Sequence, residues 1–124
     1  MKAYALLELK ETDKAEKIIK KALKLAPLNS KYLSEQAHIY QLKKEFRRAL
    51  SAYTSAEKSA NLYSPQRVHK RELLRAKRGM AYNLIELKDL KRAKKIYNEI
   101  LKISPRDKIA IKELKYINEV KKRR

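Results

Sequence analysis

The sequence predicts an all-α chain: helical hairpins stacked in series as an α-solenoid. Three observations carry this. Residues recur at a fixed period of 34: Leu6, Ala15, Ile19, Ala22 and Pro27 are followed by Tyr40, Ala49, Tyr53, Ala56 and Asn61, and a later copy reads Leu84, Ala93, Tyr97, Ile100 and Pro105. A period of this length marks a repeated supersecondary unit that buries its apolar side only against its neighbours. Apolar residues recur at helical spacing along the whole chain, and with one Gly and three Pro among 124 residues a turn-rich β fold is disfavoured. The hydrophobic share, 44%, supplies an ordinary core despite a formal net charge of +19.

Seven helices are expected. The first is short, about residues 3–10. Thr12 and Asp13 signal the start of a second that runs to Ala26, where Pro27 stops it. Asn29 or Ser30 caps the third, which ends near Lys43, and a fourth spans about residues 45–60. The segment Asn61-Leu62-Tyr63-Ser64-Pro65 breaks the pattern, and Ser64 as N-cap with Pro65 at the first helical position restarts it. That fifth helix reaches Leu87, longer than its counterparts. The sixth spans about residues 90–103, before Ser104-Pro105, and Asp107 opens a terminal helix that frays into the basic tail.

Small residues explain the pairing. Ala3, Ala15 and Ala22, then Ala37, Ala49 and Ala56, then Ala81, Ala93 and Ile100 occupy matching positions. Alanine lets two helical backbones approach closely, and bulky residues such as Ile19, Tyr40, Tyr53, Leu84 and Tyr97 fill the space between hairpins. Ile111, Leu114 and Ile117, with Ile109, are expected to cover the last hairpin, leaving Lys112 and Lys115 in water as a solubilising cap needs.

At this level of detail the chain resembles the tetratricopeptide repeat family. The second repeat reads Leu33-x2-Gln36-Ala37-x2-Tyr40, then Phe46-x2-Ala49-x3-Tyr53-x2-Ala56, with Asn61 where the family has Pro. The third reads Met80-Ala81-x2-Leu84, then Leu90-x2-Ala93-x3-Tyr97, then Pro105. The first keeps Ala15-x3-Ile19-x2-Ala22-x4-Pro27 but begins inside its first helix, as a truncated or divergent N-terminus would. The resemblance implies one domain over residues 1–124: a right-handed α-α superhelix of three hairpins (about 1–29, 30–63 and 74–107) and a capping helix (about 108–121). The step of 44 between the second and third repeats implies an insertion of 10, about residues 61–70. Lys77 departs from the family by standing in a slot usually filled by a large apolar residue.

The resemblance also implies a non-catalytic scaffold that binds a partner segment in a concave groove lined by first helices. Tyr4, His38, Tyr82 and Tyr116 fall in one register, with Lys31, Arg75, Arg78 and Lys112 a turn away. Tyr offers broad contact at low entropy cost. The basic residues make an acidic peptide the natural guest, with Arg75 or Arg78 as forks for carboxylates. The plainer alternative is that these rings pack on neighbouring helices and the cations are solvated. Chaperone-binding members clamp a C-terminal carboxylate with Lys, Asn and Arg; here Tyr4, Glu35 and Gly79 hold three of those places and Arg75 one, so that clamp is not expected.

Nothing in the sequence carries catalysis. A single Gly makes no phosphate loop, two isolated His make no metal motif, and the absence of Cys removes thiolate chemistry and disulfides. No cofactor or metal is expected. The apolar run at the N-terminus is interrupted by Glu8, and no 18-residue apolar stretch exists, so no membrane span and a cytoplasmic protein are expected. The +19 charge raises a second class of partner, RNA or DNA, although the cations are spread over every helix. Self-association through the N-terminal hairpin is a third expectation, because its missing front leaves apolar surface uncovered.

Overall fold

The computed structural model describes the backbone of residues 2–122 and the side chains of residues 11–120. Six helices follow in order: α1 (Lys2–Leu25), α2 (Ser30–Leu42), α3 (Phe46–Tyr63), α4 (Gln66–Glu86), α5 (Leu90–Ile103) and α6 (Lys108–Lys122), with no strand among the described residues. Helices α2 and α3 form one antiparallel hairpin, α4 and α5 a second, and α6 packs on α5.

Both hairpins turn in the same way. At the first, the Lys44 N–H donates to the Gln41 carbonyl (2.9 Å) and the Glu45 N–H to the Tyr40 carbonyl (2.9 Å). At the second, the Lys88 N–H donates to Ile85 (2.9 Å) and the Asp89 N–H to Leu84 (2.8 Å). These are Schellman closures, and each needs a left-handed residue: Lys44 at φ 63° and Lys88 at φ 65°. The second helix of each pair then begins with a large apolar residue, Phe46 or Leu90, and Leu90 packs against the core.

The first repeat differs from the expectation of two helices. Residues expected to form a short helix, a break and a longer helix run as the single helix α1, so six helices replace seven. Position 12, which aligns with Phe46, is Thr. A turn there would lack the apolar anchor that pins the other two, and no Gly or Pro interrupts residues 2–25. The hairpin expected to mediate self-association is therefore open. Lys43, at the end of α2, ties α1 down instead, pairing with Glu16 and, at 3.3 Å, with Asp13.

Two further boundaries shift. Helix α3 continues through Asn61, Leu62 and Tyr63, which carry no breaker, and ends only where Pro65 holds Ser64 extended (φ −69°, ψ 138°). Ser64 does not cap α4; its hydroxyl hydrogen-bonds that of Ser30 at 3.1 Å. On α6, Ala110, Leu114 and Ile117 face the core, whereas Ile109 and Ile111 are exposed. The helical period explains this correction: once Ala110 faces inward, its neighbours at ±1 point well off that face.

The core is where alanine predicts it. Ala37, Ala49, Ala56, Ala81 and Ala93 are fully buried, and Tyr53, Leu84, Tyr97 and Ile100 fill the space around them. One glycine is required by contact: a Cβ on Gly79 of α4 would lie 2.4 Å from ring carbons of Tyr53 on α3. Lys77 occupies its unusual slot as a bridge. Its ammonium, largely buried, reaches Glu57 on α3 at 2.7 Å and Glu99 on α5 at 3.1 Å. Burial alone would push this ammonium down; the hydrogen bonds from the two carboxylates outweigh it and hold it above the ordinary lysine value.

Candidate functional site

Helices α2 and α4, the first of each hairpin, pack side by side, whereas the backbones of α3 and α5 make no comparably close approach among the described residues. Stacked hairpins that close more tightly on one side curve toward it, so α2 and α4 belong to the inner wall and α3 and α5 to the outer.

A groove of about 430 Å³ opens between α1 and α2, with Arg75 of α4 at its edge. Its floor is aliphatic: Ala15, Ile18 and Ile19 from α1 and Ile39 and Leu42 from α2. Ile18 is 66% exposed and Leu42 57% exposed, although both lie on helices that bury apolar residues elsewhere. The polar rim consists of His38, Arg75, Glu11, Glu35 and Thr12. One guanidinium and one imidazole thus face two carboxylates, a mixed rim that orients a guest more than it attracts one.

Of the eight residues expected in the groove, the structure brings His38 and Arg75 together here. Tyr82 on α4 and Tyr116 on α6 are exposed rings outside this groove, and Lys112 is exposed on α6. The Tyr82 hydroxyl is pushed above its ordinary value, mainly by burial and then by the neighbouring Glu86 carboxylate. Lys31 lines a different recess, formed where the α1–α2 and α3–α4 connections meet. The side chain of Tyr4 lies outside the described residues.

Arg78 needs correction as a carboxylate fork for a ligand. Its Nε donates to Asp107 Oδ2 at 3.0 Å and its Nη2 to the same oxygen, while Asp107 Oδ1 accepts from the Ala110 N–H at 2.9 Å. Asp107 is buried, and Arg78 therefore locks α4 to the first turn of α6. Burial would raise this carboxyl; the Ala110 N–H and the Arg78 guanidinium more than offset it and hold it below the ordinary aspartate value.

The aliphatic floor escaped sequence reasoning, which looked for rings and cations. The available signal was Ile18 beside Ile19 and Leu42 three residues after Ile39: an apolar stripe wider than one buried face requires.

Among the described residues, no group of three or more His, Cys, Asp or Glu could hold a metal ion. No helix described is long and apolar enough to cross a membrane.

Comparison with known proteins agrees with this geometry. The tetratricopeptide repeat model matches residues 1–27 and 76–107. These two segments carry the tetratricopeptide repeat pattern. Among solved structures, the chain is similar to the first tetratricopeptide repeat domain of Spaghetti (RPAP3), bound there to the HSP90 peptide SRMEEVD. The TM-score is 0.75 at 23% identity, over 96% of this chain and 89% of that one. At that identity the likeness speaks for the fold. No curated protein matches the chain significantly. The first matched segment of the tetratricopeptide repeat model takes in all of α1, so the repeat's sequence pattern is present there although the helix does not turn.

Proposed function

We propose that this protein is a non-catalytic interaction module that receives a segment of a partner protein in the groove between α1 and α2. The observation that carries the reading is the aliphatic floor of Ile18, Ile19, Ile39 and Leu42, left open beside Arg75. Apolar side chains of the guest displace water from that floor, and a carboxylate on the guest meets the Arg75 guanidinium. Glu35 and Glu11 disfavour a uniformly acidic guest, so the preferred segment mixes aliphatic and acidic residues. The net charge of +19 favours its approach. Tyr82, Lys112 and Tyr116 extend the same recognition along α4 and α6.

The RPAP3 domain binds an acidic HSP90 peptide, which supports peptide capture as a use of this fold. In this chain Glu35 and Gly79 stand where the chaperone clamp would place an amide and a cation, so the guest is not assigned as a chaperone tail.

Selection from a random peptide library tests the reading. Enriched sequences should combine aliphatic and acidic residues, and their affinity should fall about tenfold or more in Arg75→Glu and in Ile18→Glu, consistent with loss of one charge-assisted hydrogen bond or one apolar anchor. Peptides that bind both variants as tightly as the parent refute it.

A further inference from the structure

The outer face carries a second groove of different chemistry. Between α3 and α5 lies a recess of about 610 Å³ with Leu84 and Leu87 at its base. Arg47 and Lys58 rise from α3 and Arg92 from α5, all exposed. Ser51, Thr54 and Ser55 line the α3 wall between Arg47 and Lys58. Arg47 and Leu87 also line an adjoining recess of about 310 Å³, which adds Lys44 and Arg48. The two recesses thus form one path with five cations.

Among the described residues, none of the five cations on this path is spent on a carboxylate of another helix. Lys43, Lys77 and Arg78 are spent on buried or half-buried carboxylates that hold helices together. Arg47, Lys58 and Lys44 make no ion pair among the described residues. The two acids on the path, Glu45 and Asp89, are answered locally, at 3.8 Å by Arg48 and at 3.6 Å by Arg92. Asp89 also accepts from the Arg92 N–H at 3.2 Å as the cap of α5. Thr54 donates to the Leu50 carbonyl at 2.8 Å, while Ser51 and Ser55 are exposed.

We propose that this outer path binds the sugar–phosphate backbone of single-stranded nucleic acid. From Arg47 to Lys58 the α3 wall is about 16 Å long, enough for several successive phosphates, with guanidinium and ammonium groups at its ends and hydroxyl donors between them. Two opposing walls suit a strand better than a flat lipid surface. The path holds one ring, Phe46 in the adjoining recess, so base stacking contributes little and binding is indifferent to sequence.

Fluorescence anisotropy with a labelled 12-nucleotide oligouridylate tests this. Five cations on a single strand give a loss of about 100-fold in affinity between 50 and 200 mM salt. Replacing Arg47, Lys58 and Arg92 together by Gln should weaken binding and reduce that loss to under about tenfold, whereas Lys17→Gln, Lys24→Gln and Lys115→Gln together, the same charge change on α1 and α6, should leave both nearly unchanged. Circular dichroism melts of both triple variants establish that they fold. Equal effects of the two triples would assign binding to overall charge and overturn the site, as would no binding at 50 mM salt. If the first triple weakens capture of polyglutamate but not of oligouridylate, the path serves an acidic protein segment and the proposal fails.

Discussion

Replacing Gly79 by Ala should destabilise the protein, although alanine is the better helix former. The added Cβ would lie 2.4 Å from Cε2 and Cζ of Tyr53 and 2.5 Å from Cδ2. Ordinary carbon contacts lie at about 3.5–4.0 Å, so ring and helix must separate by roughly 1 Å. Tyr53 is buried in the core cluster and has no open space to enter. Overpacking of this kind costs about 1–3 kcal/mol, and three clashing ring atoms argue for the upper end. Helix propensity returns about 1 kcal/mol, leaving a net loss of about 2 kcal/mol. For a chain of this size that lowers Tm by roughly 8 °C. Urea and thermal melts followed by circular dichroism read the effect directly. The same substitution on a Tyr53→Leu background should instead stabilise by about 1 kcal/mol, because the ring that collides is gone. A Gly79→Ala protein as stable as the parent would refute the account of how α3 and α4 approach.

Three other predictions concern charge and turns. Lys77→Ala should cost about 2 kcal/mol, less than for a fully buried pair because Glu57 and Glu99 keep some water, whereas Lys77→Met, which fills the slot with apolar volume, should stay within about 1 kcal/mol of the parent; chemical denaturation separates the two, and equal losses would contradict it. The Lys77 contribution is complete at neutral pH and fades only as pH rises through its elevated native value, above about 10.4. Asp107→Asn keeps the cap oxygen but loses the Arg78 pair, and should cost about 1–2 kcal/mol, with α6 amides exchanging faster than those of α4. Because the native Asp107 carboxyl lies below its ordinary value, the parent holds this contribution above about pH 4 and loses it as pH falls further. Lys44→Gly and Lys88→Gly should each stabilise by about 0.5–1 kcal/mol by relieving left-handed backbone, with higher Tm as the readout.

The period of 34 made the two complete hairpins legible, because Ala37, Ala49 and Ala56, and Ala81 and Ala93, mark helix contacts by size alone. Helix α5 begins at Leu90 and ends at Ile103, the span expected before the Ser104-Pro105 stop. Helix α1 was misread because Thr12 and Asp13 look like a start signal; a cap residue offers a helix start but does not force a break when no apolar anchor follows. Arg78 and Asp107 lie 29 residues apart, so their pairing depends on the docking of α6, which local pattern does not encode. Lys77 was visible as an anomaly, but its partners Glu57 and Glu99 sit on two other helices. The aliphatic groove was hidden for a related reason: Ile18 and Leu42 read as core by residue type, and only the straight course of α1 leaves them open.

The central claim, that the aliphatic groove between α1 and α2 is the recognition surface, is tested most directly by NMR titration with a library-selected peptide. The account predicts that amide shifts cluster at Ile18, Ile19, His38, Ile39, Leu42 and Arg75, and that Arg75→Glu abolishes them. Shifts confined to the α3–α5 face, or unaltered by that substitution, would contradict it.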